Sequence, residues 1–212
     1  MEKRSARIYA TIGAVMGWFA VFMQLYLHIQ NSTVPAAEKI LRFFGYFTID
    51  TNILCALFLT FVAVKSNSGL GRFFRNAATA TALTVYITIV GITYNILLRN
   101  TWNPQGMQKI VDELLHSVIP VYFILFWFIF VSRGVLKWKN SFPWLLYPIL
   151  YMVYAIILGA ITKFYPYPFV DVNELGYPKA LTNSLIVLVL IFLLSLLLIR
   201  IGNGRKRFDS PK

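Results

Sequence analysis

Apolar residues run along this chain in long blocks, separated by short polar connections. Six blocks approach the roughly 20 residues that an α-helix needs to cross the about 30 Å hydrocarbon core of a bilayer, since a helix rises about 1.5 Å per residue. They cover residues 8–29, 44–64, 77–98, 110–131, 142–161 and 180–201. Connections such as 65–71 and 100–105 are short, and no extramembrane domain fits into what remains. Lipid offers no partner to an unpaired backbone group, so each block is expected to be a helix. The alternation of a barrel strand is missing. The expected fold is an all-α integral membrane protein, one six-transmembrane-helix bundle over residues 1–212, with no internal repeat. Lys3, Arg4 and Arg7 before the first block and Pro35-Ala36-Ala37 after it resemble the flanks of a signal peptide. That block is nevertheless longer than the usual core of about 7–15 residues, and it carries Gln24 and His28.

Composition agrees. Of the 212 residues, 58% are hydrophobic and 13% charged, with a mean hydropathy of +0.66. Soluble domains run nearer about 45–50% and about 25%. A soluble globular enzyme and a disordered chain are both excluded. The net charge of +12 is explained by where the cations sit. Fourteen of the Lys and Arg residues fall on one side: Lys3, Arg4, Arg7, Lys65, Arg72, Arg75, Arg133, Lys137, Lys139, Arg200, Arg205, Lys206, Arg207 and Lys212. Six fall on the other: Lys39, Arg42, Arg99, Lys109, Lys163 and Lys179. The positive-inside rule then puts both termini in the cytoplasm of a plasma (cell) membrane protein. The basic excess meets anionic membrane lipids, and no nucleic acid partner is needed to account for it. Cys55 is the single cysteine, so no internal disulfide forms, and no Cys/His spacing suggests a metal. No cofactor motif is present: there is no Walker loop, GxGxxG, GxSxG or HExxH.

Amide and ionisable groups inside the blocks carry the functional signal, because each is costly in lipid. There are seven: Gln24, His28, Asp50, Asn52, Asn95, His116 and Asn183. With the inferred topology all fall in the outer half, contributed by five helices. Interfacial water or lipid heads would satisfy such residues singly; their clustering favours a shared cavity open to the outside. Thr48, Asn52 and Cys55 lie on one helical face. Asp112 and His116, at i and i+4, could form an oriented carboxylate–imidazole pair or a helix cap. Pro120 frees a carbonyl one turn back and is expected to disturb the fourth helix there. Thr81, Thr84, Thr88 and Gly91, Gly13-x-x-x-Gly17, and the stripe Trp144, Tyr147, Tyr151 and Tyr154 read as packing surfaces. The 165–169 loop, with its prolines and aromatics, is either an interfacial anchor or a lid over the cavity.

The chemistry this set supports is a hydroxyl nucleophile with a histidine base. Thr48 and His116 are the natural pair because they share a depth on the second and fourth helices. A threonine hydroxyl attacks poorly until a base takes its proton. Asp50 or Asn52 could orient substrate or donate to an oxyanion.

Four motifs resemble those of the six-span bacterial membrane family called Pr-six-Pr. They are Phe44-Gly45-Tyr46-Phe47-Thr48-Ile49-Asp50-Thr51-Asn52, His116-Ser117-Val118-Ile119-Pro120, Tyr147-Pro148-Ile149-Leu150-Tyr151 and Tyr165-Pro166-Tyr167-Pro168-Phe169. Their order extends the resemblance over nearly the whole chain. That family is distantly similar to the androgen-induced-protein (FAR-like) family, multi-span hydrolases of fatty-acid esters of hydroxy fatty acids with an intramembrane threonine and histidine. The resemblance implies Thr48 as nucleophile, in Phe47-Thr48-Ile49-Asp50, and His116 as base, in His116-x-x-x-Pro120. Shared fold need not mean shared reaction. The expectation is thus an intramembrane hydrolase of a lipid-like ester. Thr48 and His116 would be catalytic, and His28, Asp50, Asn52, Asn95, Asp112 and Asn183 would bind substrate or support the pair. The alternative is a lipid or small-solute transporter or binding protein that uses the same pocket without catalysis.

Overall fold

In a computed structural model of the chain, residues 4–132, 134 and 136–204 are described. Lys3, Arg133, Arg205, Lys206, Arg207 and Lys212, counted above for orientation, lie outside them. The helices are α1 (Arg4–Asn31), α2 (Ala36–Phe43), α3 (Phe47–Ala63), α4 (Gly69–Phe74), α5 (Ala77–Thr93), α6 (Gly106–Glu113), α7 (Ile119–Phe130), α8 (Ser141–Trp144), α9 (Leu146–Thr162) and α10 (Val172–Gly204). Single π-helical turns extend α5 at Tyr94–Leu98 and join α6 to α7 at Leu114–Val118. No strand occurs among the described residues. Five continuous helical stretches are long and apolar enough to cross a membrane, or six if the bent pair α2–α3 is one span.

The block expected over 44–64 therefore divides. Its helix begins at Phe47, and α2 precedes it at an angle of 71°. Gly45 and Tyr46 form the corner. Tyr151 donates to the Gly45 carbonyl at 2.9 Å and Tyr154 to the Leu41 carbonyl at 2.8 Å. The aromatic stripe of α9 thus pins the bend as well as packing. The last span is longer than expected and bends at Gly176, whose φ is 71°.

Helices pack through small residues. Gly13 and Gly17 face α3 and α7: a Cβ on Gly13 would lie 2.5 Å from the Tyr122 ring and 2.8 Å from Leu59, and one on Gly17 would lie 3.0 Å from Ala56. Such close approach supplies dispersion contact, the main attraction between helices in lipid. Tyr9 and Tyr122 exchange hydroxyl-to-carbonyl bonds across the same seam, at 3.1 and 2.7 Å. Helix α5 is central, touching α3, α7 and α10. Its Thr81, Thr84 and Thr88 hydroxyls donate back to their own helix, and Trp127 donates to Thr81 at 2.8 Å. Outward faces are apolar: Ile8, Ile12, Val15, Phe19 and Phe22 on α1, and Leu185, Ile186, Val189, Leu193 and Leu197 on α10, are all exposed. An unpartnered apolar surface of that extent suits lipid and not water. The chain is a multi-pass membrane protein.

Candidate functional site

Connections 32–35, 99–105 and 163–171 meet at one end of the bundle, where a cavity of about 600 Å³ opens. Its lining includes Gln24, His28, Asn31, Ser32, Thr48, Tyr94, Gln108, Asp112, His116 and Tyr167. A narrower crevice of about 60 Å³ adjoins it, running between α5, α9 and α10. Thr48, Tyr94, Leu98, His116 and Tyr167 line both and form the junction.

Thr48 sits in the first turn of α3, where backbone N–H groups have no helical partner. No side chain of the preceding residue caps this end. Tyr167 does so from the far loop: its hydroxyl accepts from the Thr48 N–H at 3.3 Å and lies 3.3 Å from Thr48 Oγ1. The loop is held above the site from several directions. Phe164 stacks under the Arg42 guanidinium at 4.7 Å, and Tyr46 packs edge-on against both Phe164 and Tyr167. Asn183 donates to the Phe169 carbonyl at 2.8 Å. The prolines and aromatics of 165–169 therefore close one wall of the cavity.

His116 lies in the π turn between α6 and α7. Its Nδ1 is 2.9 Å from the Asp112 carbonyl and 3.1 Å from Asp112 Oδ1. The ring stacks on Tyr94 with centroids 4.1 Å apart and 13° between planes. Asp112, 3% exposed, also accepts from the Tyr94 hydroxyl. A carboxylate facing Nδ1 fixes the ring and leaves Nε2 as the basic nitrogen.

Proline explains why the polar residues converge on this turn. The Ile119 N–H reaches back to the Leu114 carbonyl, and Pro120 has no N–H. The Leu115 and His116 carbonyls thus lack their usual helical partners. Asn52, fully buried on α3, donates to the Leu115 carbonyl at 3.2 Å and to the Thr48 carbonyl at 2.8 Å. Asn95 donates to the His116 carbonyl at 3.3 Å and to the Gly91 carbonyl at 2.8 Å. Gly91 makes this approach possible, since a Cβ there would stand 3.2 Å from Pro120 and 3.4 Å from the His116 carbonyl. One asparagine thus ties the Thr48 turn to the His116 turn. The other ties α5 to it.

Of the residues expected at the site, Thr48, His116, His28 and Asp112 line the main cavity. His28 places Nε2 2.9 Å from the Lys39 carbonyl. Asp50, Asn52, Asn95 and Asn183 line neither cavity. Asn52 and Asn95 hold the backbone that carries the site, and Asn183 holds the loop over it. Tyr94, Gln108 and Tyr167 line the cavity without having been singled out; Tyr167 was visible only as part of its loop. Gln108 donates to Gln24 across the cavity at 2.8 Å. At the rim, Arg99 pairs with Glu113 at 2.8 Å and reaches Ser117 and Asn95. Searches against protein-family models, curated proteins and solved structures found no match to this chain.

Proposed function

We propose that this is a six-span plasma membrane protein of the Pr-six-Pr type, with both termini cytoplasmic, that hydrolyses a lipid-like ester in the cavity at its outer end. The observation that carries the proposal is the shared junction: Thr48 and His116 line the same two cavities, and Asp112 holds His116 by Nδ1. Membrane lipid would supply the substrate, entering sideways.

In this mechanism His116 Nε2 takes the Thr48 hydroxyl proton as Oγ1 bonds to the acyl carbon. The Tyr167 hydroxyl and Thr48 N–H, both beside Oγ1, donate to the oxyanion. The tetrahedral intermediate collapses, the ester C–O bond breaks, and His116 gives its proton to the leaving alcohol. Water then attacks the acyl-Thr48 ester, passing its proton to His116. The fatty acid departs and the proton returns to Thr48.

A second reading rests on one specific contact. The Thr48 hydroxyl is engaged by Tyr167, with no hydrogen bond to His116 among the described residues. That arrangement suits a non-catalytic lipid or small-solute binder or transporter equally well, with Thr48 as a structural hydroxyl. A fluorophosphonate probe distinguishes the two. Hydrolysis predicts covalent labelling at Thr48 that disappears in Thr48→Ala and falls in His116→Ala. It also predicts that each substitution abolishes ester turnover without additive loss in the double variant. No labelling at Thr48 and no ester turnover by the unsubstituted protein would leave the binding role. Reporter fusions after residue 204 and in the 163–171 loop test the orientation. An external C-terminus overturns it.

A further inference from the structure

The two cavities differ in kind, and the difference specifies a ligand. We propose that together they form one binding site for a single-chain lipid with an uncharged, hydroxyl-bearing polar half, such as a monoacylglycerol. The acyl chain lies in the crevice and the polar half in the wide cavity. This builds on the cavity assigned above and not on the chemistry assigned to it.

The crevice is narrow, about 60 Å³ against about 600 Å³, with no room for two chains side by side, so a single chain lies along it with its far end in the bilayer. Its walls are mostly apolar: aliphatic at Ile89, Val90, Ala155, Val187 and Ile191, and aromatic at Phe47 and Phe169. A chain already in the bilayer gains little from the hydrophobic effect on entering the crevice; packing against these walls supplies the attraction, and the chain reaches them without crossing water.

The wide cavity offers hydrogen bonds and no counter-ion. No Lys or Arg lines it among the described residues. Arg42 is occupied by Glu38 at 2.5 Å and Arg99 by Glu113. A phosphate or carboxylate drawn into this space would lose its hydration without gaining a cation. The carboxylate in the lining, Asp112, is taken by Tyr94 and His116, so an ammonium gains no free anion either. What remains are His28, whose Nε2 is engaged by the Lys39 carbonyl, and the neutral groups Gln24, Asn31, Ser32, Thr101 and Gln108. Amides and hydroxyls of this sort satisfy the hydroxyls of a glycerol-like group, donor for acceptor.

At the junction both halves meet Thr48, His116 and Tyr167. A lipid lying across it presents the bond between chain and polar half to those side chains.

Binding is measured with purified Thr48→Ala protein in nanodiscs, so that turnover does not intervene. Radiolabelled monooleoylglycerol is competed with unlabelled monooleoylglycerol, oleate, oleoyl-lysophosphatidate and oleoyl-lysophosphatidylcholine, all with the same chain. The expected result is binding of the neutral lipid at least about tenfold tighter than each charged one. Equal or tighter binding of any charged lipid overturns the polar-half assignment. For the chain, Ala155→Phe and, on the facing wall, Val187→Phe fill the crevice. Each is expected to abolish monooleoylglycerol binding and keep that of hexanoylglycerol, whose retention shows that the variant is folded. If one variant fails to fold, the other decides. Unchanged oleoyl binding in a folded plug variant overturns the chain assignment. Failure of ester turnover with selective binding intact would refute the hydrolase proposal alone.

Discussion

Asn52→Ala should destabilise the protein through a carbonyl on another helix. In α3 the Thr48 carbonyl keeps the backbone N–H one turn ahead, so losing the Asn52 amide there matters little. The Leu115 carbonyl has no such reserve: the Ile119 N–H is committed to Leu114, and residue 120 is proline. Asn52 is 0% exposed, so water does not replace it. An unpaired buried carbonyl costs about 1–3 kcal/mol. Side-chain hydrogen bonds between membrane helices average about 0.6 and reach about 1.7 kcal/mol. With no substitute partner, the upper part of that range applies, about 1.5 kcal/mol. Unfolding titrations in mixed micelles measure it. The specific claim is coupling to Pro120. Pro120→Ala restores an N–H that, one step on from the Ile119-to-Leu114 bond, serves the Leu115 carbonyl, and it keeps the Cβ that packs on Gly91, so in that background Asn52→Ala should cost about 1 kcal/mol less. Costs that add within about 0.5 kcal/mol would refute the account of the freed carbonyl.

Two other substitutions address packing and chemistry. Gly13→Ala places a methyl against Tyr122 and Leu59 and should destabilise by about 1–3 kcal/mol in the same titration, whereas Ile12→Ala, on the lipid face, should change little. Tyr167→Phe keeps the ring and removes the hydroxyl beside Thr48. Loss of one oxyanion donor should lower kcat by about 10²-fold with KM nearly unchanged, and an unchanged or faster rate would remove Tyr167 from the mechanism.

The spans were legible because a run of about 20 apolar residues has few other uses. Pro120 and the Gly13/Gly17 pair were legible for similar reasons: each removes an atom or a bond whose consequence is local. What the sequence concealed lies where one extra residue enters an apolar helix. The π turns at Tyr94–Leu98 and Leu114–Val118 shift the phase of everything beyond them; Pro120 signals a disturbance at the second, and no residue type marks the first. Tyr94 was therefore not singled out, although it stacks on His116 and donates to Asp112. Asn52 was noticed as polar and deep. A buried amide serves a ligand or a backbone carbonyl with equal chemistry, and only the neighbouring proline turn decides which.

The corner ahead of Phe47 has a geometric consequence. With 17 residues, α3 rises about 25 Å, short of the about 30 Å of an average hydrocarbon core, while α2 turns aside by 71°. No residue of α3 is exposed, and the longer α1, with 28 residues, packs beside it, so the shortfall does not fall on lipid. It falls inside the bundle: the first turn of α3, with Thr48, stands about 5 Å below the level a full span would reach and lines the wide cavity there. The corner therefore leaves a recess that a straight helix would have filled with its own backbone.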